Sequence, residues 1–125
     1  MTFYTALNCM DGRVQLPVNN YLQKRFNSEY VDTVTEAGIN KALAEFEHNS
    51  KVKAILDRVR ISVEIHKSNG ITIAGHHDCA GNPVTKEEQV KQIKKGVKFL
   101  KGKYSNIEII GLWVDENWEV NEIYI

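Results

Sequence analysis

The sequence predicts an α/β fold: one mainly parallel, open sheet of four to five strands flanked by helices, with the last strand antiparallel. Three observations predict it. Short apolar runs rich in β-formers alternate with segments of helical periodicity, which requires a parallel sheet with right-handed crossovers. The final two runs are separated by only a turn, too short for a crossover, so that pair is antiparallel. The chain has 125 residues, 42% hydrophobic and 26% charged, enough for a single domain over residues 1–125 with a core of its own.

The run TFYTALN, residues 2–8, is short and rich in β-formers, as a buried strand is. In LPVNNYLQKRF, Pro17 suits the first turn of a helix, and Val18, Tyr21, Leu22 and Phe26 share one helical face. YVDTVTEAG reads as a second strand ended by Gly38, and INKALAEFEHN as a short helix carrying Ile39, Leu43 and Phe46. Ser50 is expected to cap a longer helix with Val52, Ile55, Leu56, Val59 and Val63 as its apolar stripe, stopped by KSNG at Gly70. ITIAG, residues 71–75, is a buried-strand candidate, followed by the polar loop HHDCAGNP. Thr85 and Glu88 have capping-box spacing ahead of a helix with Val90, Ile93, Val97 and Leu100 on one side. Lys86, Lys91, Lys94, Lys95, Lys98, Lys101 and Lys103 read as that segment's solvated face. NIEIIGLWV and WEVNEIYI are the last two strands, joined at DEN by a hairpin turn with Trp118 just after it.

Composition removes several function classes. Lysine plus arginine equals aspartate plus glutamate, 16 each, so no basic footprint for nucleic acid or for an anionic membrane exists. No apolar run has the length of a membrane span. The start, MTFYTALNC, has neither a basic n-region nor a long apolar h-region, so no signal peptide is expected and the cytoplasm is the expected location.

The chemistry-bearing residues gather in two stretches. CMDGR holds Cys9, and GHHDC holds Cys79, the only other cysteine. Two cysteines are too few for a disulfide framework. They serve metal or redox chemistry, or each is a small buried apolar side chain. Both stretches follow predicted strands directly. In an open α/β sheet, ligands bind beyond the carboxyl ends of the strands, where strand order reverses. If residues 2–8 and 71–75 are parallel neighbours, Cys9 and HHDC emerge at one edge. His76 and Cys79 can then ligate one metal from a single loop, with Cys9 as third ligand. Two cysteines and a histidine with an open fourth position are a pattern of catalytic zinc, and thiolate with imidazole favours zinc over harder cations. His76 is preferred to His77 because H-x-x-C is the commoner ligand spacing. His77 is then a solvent-facing residue or a proton relay, and Asp78 an outer hydrogen-bond acceptor or a turn former. Arg13 can hold Asp11 ionised through a bidentate pair. Asp11 would then accept a hydrogen bond from a zinc-bound hydroxide or bind the metal itself. Taken without Cys9, Asp-Gly is a common turn dipeptide and Arg13 a surface residue. His48 and His66 lie in predicted helices and read as surface or core histidines.

C-x-D-x-R at residues 9–13 followed by H-x-x-C at residues 76–79 resembles the β-class carbonic anhydrases. IAGHHDC and IIGLWVDENWEVNEI are similar to that family's strand into the second motif and its late strand pair. The likeness spans most of the chain, and the two motifs carry its specificity. It implies an α/β fold with a mainly parallel sheet, Zn2+ on Cys9, His76 and Cys79, and Asp11 with Arg13 as the gating and orienting dyad. The implied activity is reversible hydration of carbon dioxide to bicarbonate by zinc-bound hydroxide, with Arg13 holding Asp11 off the metal. The resemblance also implies a homodimer or higher homo-oligomer, for which the terminal NEIYI offers a sheet edge.

The match looks closest to the short carbonic-anhydrase-like members. The chain is expected to lack the family's N-terminal helices. TEAG, residues 35–38, keeps only the Ala-Gly of an Arg-Asn-Ala-Gly-type segment, and the apolar and glutamine residues of the family's substrate pocket have no evident counterpart. Two variants stay open: a zinc-binding homologue without turnover, with Asp11 on the metal, and hydrolysis of another small linear substrate such as carbonyl sulfide or carbon disulfide. A Cys9–Cys79 thiol switch ranks last, because it leaves Asp11, Arg13 and His76 without a role.

Overall fold

The computed structural model describes residues 1–45 and 49–124. In chain order the elements are β1 (Phe3–Asn8), α1 (Gly12–Phe26), β2 (Tyr30–Thr35), α2 (Ile39–Ala44), α3 (Ser50–Arg60) with a π-helical turn at Ile61–Ile65, β3 (Gly70–His76), α4 (Lys86–Lys103), β4 (Glu108–Val114) and β5 (Val120–Ile123). The strands form one sheet of order β2-β1-β3-β4-β5. β1 runs parallel to β2 and β3, β3 runs parallel to β4, and β5 is antiparallel to β4. This is the architecture the alternation of strands and helices predicts, with five strands. Among the described residues, no helix is long and apolar enough to cross a membrane.

The two-residue period of the strands divides the core between the two faces of the sheet. On one face Val14, Val18 and Leu22 of α1 cover Tyr4, Ala6, Ala74, Leu112 and Val114. On the other, Ile39 and Leu43 of α2, Ile55 and Val59 of α3 and Ile93, Val97 and Leu100 of α4 cover Leu7, Ile71, Ile73 and Ile109. Each fully buried leucine or isoleucine contributes about 1.5–3 kcal/mol by leaving water. β3 is buried along its whole length, as expected of a central parallel strand covered on both faces. The chain leaves β1 toward β2 on one side and returns to β3 on the other. Strand order therefore reverses between β1 and β3, the place where open α/β sheets bind their ligands.

Several boundaries differ from the sequence-based expectation, each for a local reason. α1 starts at Gly12 rather than near Pro17, because Asp11 caps it: its side chain accepts from the Arg13 N–H, and Pro17 lies inside the helix. β2 stops at Thr35, and Gly38 takes a left-handed turn (φ 62°) into α2. Asn49, not Ser50, caps α3, accepting from the Val52 N–H at 2.9 Å. The helix does not run regularly to Gly70. The wider π turn seats buried Ser62, whose Oγ lies 2.6 Å from Thr5 Oγ1 and donates to Asp32 Oδ2 at 2.7 Å. His66, just past that turn, holds Asp32 through Nδ1 at 2.6 Å and stacks on Phe3. β5 begins at Val120, since Trp118 adopts a turn conformation (φ 59°). Thr85 does cap α4, accepting from the Glu88 N–H, and the seven lysines from Lys86 to Lys103 are exposed. Val90 is only half-buried, whereas Gln89 is fully buried. Phe46, His48 and Ile125 lie outside the described residues.

Candidate metal centre

Both cysteine stretches lie at the carboxyl ends of β1 and β3. Cys9 follows β1 immediately, His76 is the last residue of β3, and Cys79 sits in the loop beyond it. The two Sγ atoms are 3.7 Å apart. Together with a ring nitrogen of His76 they form a cluster whose atoms all lie within 4.8 Å of one another, and all three residues are buried. His76 Nδ1 is 2.7 Å from the His77 carbonyl oxygen. A carbonyl can only accept, so Nδ1 carries a proton, and in the neutral ring Nε2 holds the lone pair. Nε2 is buried and has no hydrogen-bond partner. An unpaired buried acceptor costs about 1–3 kcal/mol, and this one faces two sulfurs. The group could hold a metal ion through three ligand atoms.

The electrostatics favour an ionised thiol beside the ring. Burial pushes the Cys9 thiol up, but the adjacent His76 ring, the backbone N–H groups of Gly38 and Asp11, and Cys79 outweigh it and hold Cys9 down at about 6. Burial and the neighbouring Cys9 charge push Cys79 up to about 11. Burial pulls the His76 ring down, yet Cys9 and the His77 carbonyl raise it overall. The Gly38 N–H reaches Cys9 because the turn packs backbone against backbone. A Cβ on Gly38 would lie 2.6 Å from the Gly81 carbonyl oxygen, and φ is positive there. That close approach and that backbone region admit only glycine.

Asp11 and Arg13 pair directly beside the cluster. Arg13 Nη2 donates to Asp11 Oδ2 at 2.6 Å and Nε to Oδ1 at 3.0 Å, while the Arg13 backbone N–H caps Oδ1 at 2.9 Å. Those Arg13 bonds lower the Asp11 carboxyl to about 2. Arg13 is itself held from its far side. Nη2 donates to the Asp78 carbonyl at 3.1 Å, Nη1 to the Asp78 carboxylate at 3.3 Å, and the guanidinium lies over the Trp118 ring at 4.4 Å. Asp78 is thus both a turn former (φ 57°) and an acceptor for Arg13. His77 is exposed, with its N–H on the Val114 carbonyl.

Sequence reasoning passes over three supporting residues. Gln15 donates to the Cys9 and Asp11 carbonyls at 2.8 and 2.7 Å, fixing the turn between β1 and α1. Trp118 comes from the hairpin between β4 and β5. Gln89 of α4 bonds both backbone groups of His76. A glutamine four residues before Ile93, on the apolar stripe of a helix, was the legible signal for the last of these.

The family model described as "Putative carbonic anhydrase" matches residues 1–124. The chain belongs to this carbonic anhydrase family. Solved structures agree on the fold. One of two tetrameric β-carbonic anhydrases from Sordaria macrospora aligns over the whole of this chain and 82% of its own, with a TM-score of 0.64 at 11% identity. Carbonic anhydrases from Streptococcus mutans and Glaciozyma antarctica each align over 96% of this chain and 81% of theirs, with a TM-score of 0.63 at 17% identity. No curated protein matches the sequence. The carbonic anhydrase fold and a buried cysteine–histidine–cysteine cluster thus occur together, with the cluster at the sheet's point of reversal.

Proposed function

We propose that the chain is a zinc-dependent carbonic anhydrase that reversibly hydrates carbon dioxide to bicarbonate. The observation that carries this reading is His76 Nε2, buried, unpartnered and facing Cys9 and Cys79. The donor set fits the ion. Two sulfurs bonded to one tetrahedral zinc stand about 3.8 Å apart, given bonds of about 2.3 Å, and here they stand 3.7 Å apart. The Nδ1–H bond to the His77 carbonyl orients the ring for ligation through Nε2, as outer partners of zinc-bound histidines do. Cys9, His76 and Cys79 would hold the ion, which supplies the Lewis acidity that makes water nucleophilic near neutral pH.

Asp11 and Arg13 do the rest of the work in this reading. With its carboxyl held near 2, Asp11 is an acceptor only, so it orients an attacking water by taking a hydrogen bond from it. Arg13 grips both Asp11 oxygens and is gripped in turn by Asp78 and Trp118. That chain of contacts would oppose a swing of Asp11 onto a bound ion. The experiment is metal analysis followed by stopped-flow hydration of carbon dioxide across pH. About one zinc per chain with measurable hydration is expected. Zinc without hydration at any pH would mark a silent zinc-binding homologue, and a folded chain that takes up no metal would remove the reading altogether.

The family match over residues 1–124 supports one domain, and two free thiols in the site suit a reducing compartment such as the cytoplasm. We also read the chain as a homo-oligomer. β2 and β5 are the edges of the sheet, and the Sordaria macrospora enzymes are tetrameric. Light scattering should give a mass at least twice that of the monomer; a monomer at all concentrations would reject this.

A further inference from the structure

We propose that Gln89 and Gln92 of α4 are positioning residues that clamp the two ends of the ligand-bearing loop, holding His76 and Cys79 in ligating geometry. The inference rests on the metal-centre reading above and extends it to residues outside the cluster.

The need for a clamp follows from the sheet. β1 and β3 pair only as far as Leu7 and Ile73; beyond that point the chain after β1 turns away into α1. The backbone groups of successive strand residues point to opposite neighbours. His77 gives its N–H to Val114 of β4 at 2.9 Å, so His76 aims its N–H and C=O at the side β1 has vacated. Both groups are buried there, and unpaired they would cost about 1–3 kcal/mol each. The Gln89 carboxamide takes both: Oε1 accepts from the His76 N–H at 3.2 Å, and Nε2 donates to the His76 carbonyl at 2.9 Å. One side chain stands in for the missing strand.

Gln92, one helical turn further on, holds the other end of the loop. Its Oε1 accepts from Asn82 Nδ2 at 2.6 Å, three residues past Cys79. Asn40 of α2 ties the two glutamines together, with its Nδ2 3.3 Å from Gln89 Oε1 and 3.4 Å from Gln92 Oε1. Gln89, Asn40 and Asn82 are each at most 2% exposed, so water is a poor competitor for these bonds. Gly75 makes room for the clamp: a Cβ there would stand 2.8 Å from Gln89 Oε1. α4 thereby ties both ends of the loop that carries His76 and Cys79.

The test uses the full chain and the variants Gln89→Met and Gln92→Met, which keep side-chain length and remove the hydrogen bonds; Lys91→Met on the exposed face of α4 is the control. In the metal-free protein, amide exchange at His76 should rise at least tenfold in Gln89→Met and stay unchanged at Ile73 and in the control. Protection of His76 equal to wild type would overturn the clamp. With Co2+ as the probe, chelator competition should show affinity weakened about 10–100-fold in both glutamine variants, with a shifted visible d–d band. Wild-type affinity and spectrum in both variants would overturn the positioning role while leaving the metal centre standing. A wild-type chain that takes up no cobalt would overturn the metal-centre reading and the positioning role with it, whatever the exchange data show of the loop.

Discussion

Asp11 carries two duties on one carboxylate. It caps α1 through the Arg13 N–H, and its second oxygen is held by the Arg13 side chain. The two duties can be separated by substitution. Asparagine is as good an N-cap as aspartate, whereas alanine forfeits about 1 kcal/mol. Asp11→Asn should therefore keep the cap and lose only the charged pair with Arg13, and Asp11→Ala should be about 1 kcal/mol less stable than Asp11→Asn in denaturant unfolding. On the proposed reading, both should lose carbon dioxide hydration by about a hundredfold or more, since neither would offer an ionised acceptor for the attacking water. Equal activity in Asp11→Asn and wild type would reduce Asp11 to a cap. The motif around this residue is legible in the sequence because Cys9, Asp11 and Arg13 have chemically distinct side chains at fixed spacing. Its cap role is not, because Pro17 is the stronger local signal for a helix start and draws the expected boundary five residues too late.

At the scale of elements, the hairpin between β4 and β5 shows how a turn reaches the site. Asp115 accepts from the backbone N–H groups of Asn117 and Glu119 and from the Asn121 amide, and its carbonyl takes the Trp118 N–H. These bonds orient Trp118 beneath the Arg13 guanidinium. The Glu119 N–H, foremost, holds the Asp115 carboxyl below its usual value. A carboxyl lowered on folding stabilises the fold fully above its unfolded value of about 3.9, and that contribution fades as pH falls through the folded value. The Glu119 amide shift, followed by NMR from pH 6 downward, should titrate with a midpoint below 3.9 and should lose that titration in Asp115→Ala. A midpoint at or above the ordinary value would contradict the hydrogen-bonded turn. The alternation of strands and helices and α4 are readable because period and capping agree there. The π turn is not, because the apolar spacing of Val59 and Val63 runs straight through it. What sets it is buried Ser62 meeting Thr5 and Asp32, residues far away in the sequence.

For the whole molecule, the topology makes the site. Cys9 and His76 are far apart in the chain and meet only because β1 and β3 are parallel neighbours at the reversal of strand order. That juxtaposition is legible from two motifs each placed after a strand. Gln15 and Trp118 are not, because they act on backbone carbonyls and on a guanidinium rather than on the cluster itself. On the proposed reading the three ligands, Cys9, His76 and Cys79, converge only in the folded chain, so zinc should bind the native state and hardly the unfolded one, and binding should appear as stability. At free zinc a hundredfold above the dissociation constant, the gain is about 2.7 kcal/mol. For a chain of this size that corresponds to a melting-temperature rise on the order of 10 °C. A chelator should reverse it. His76→Ala loses the packing of a buried ring near Trp118 and its bond to the His77 carbonyl, so it should melt lower than wild type, and zinc should no longer raise its melting temperature. Scanning calorimetry with and without zinc on both proteins decides the matter: an equal rise in wild type and His76→Ala would mean that the stabilising ion sits elsewhere than between β1 and β3.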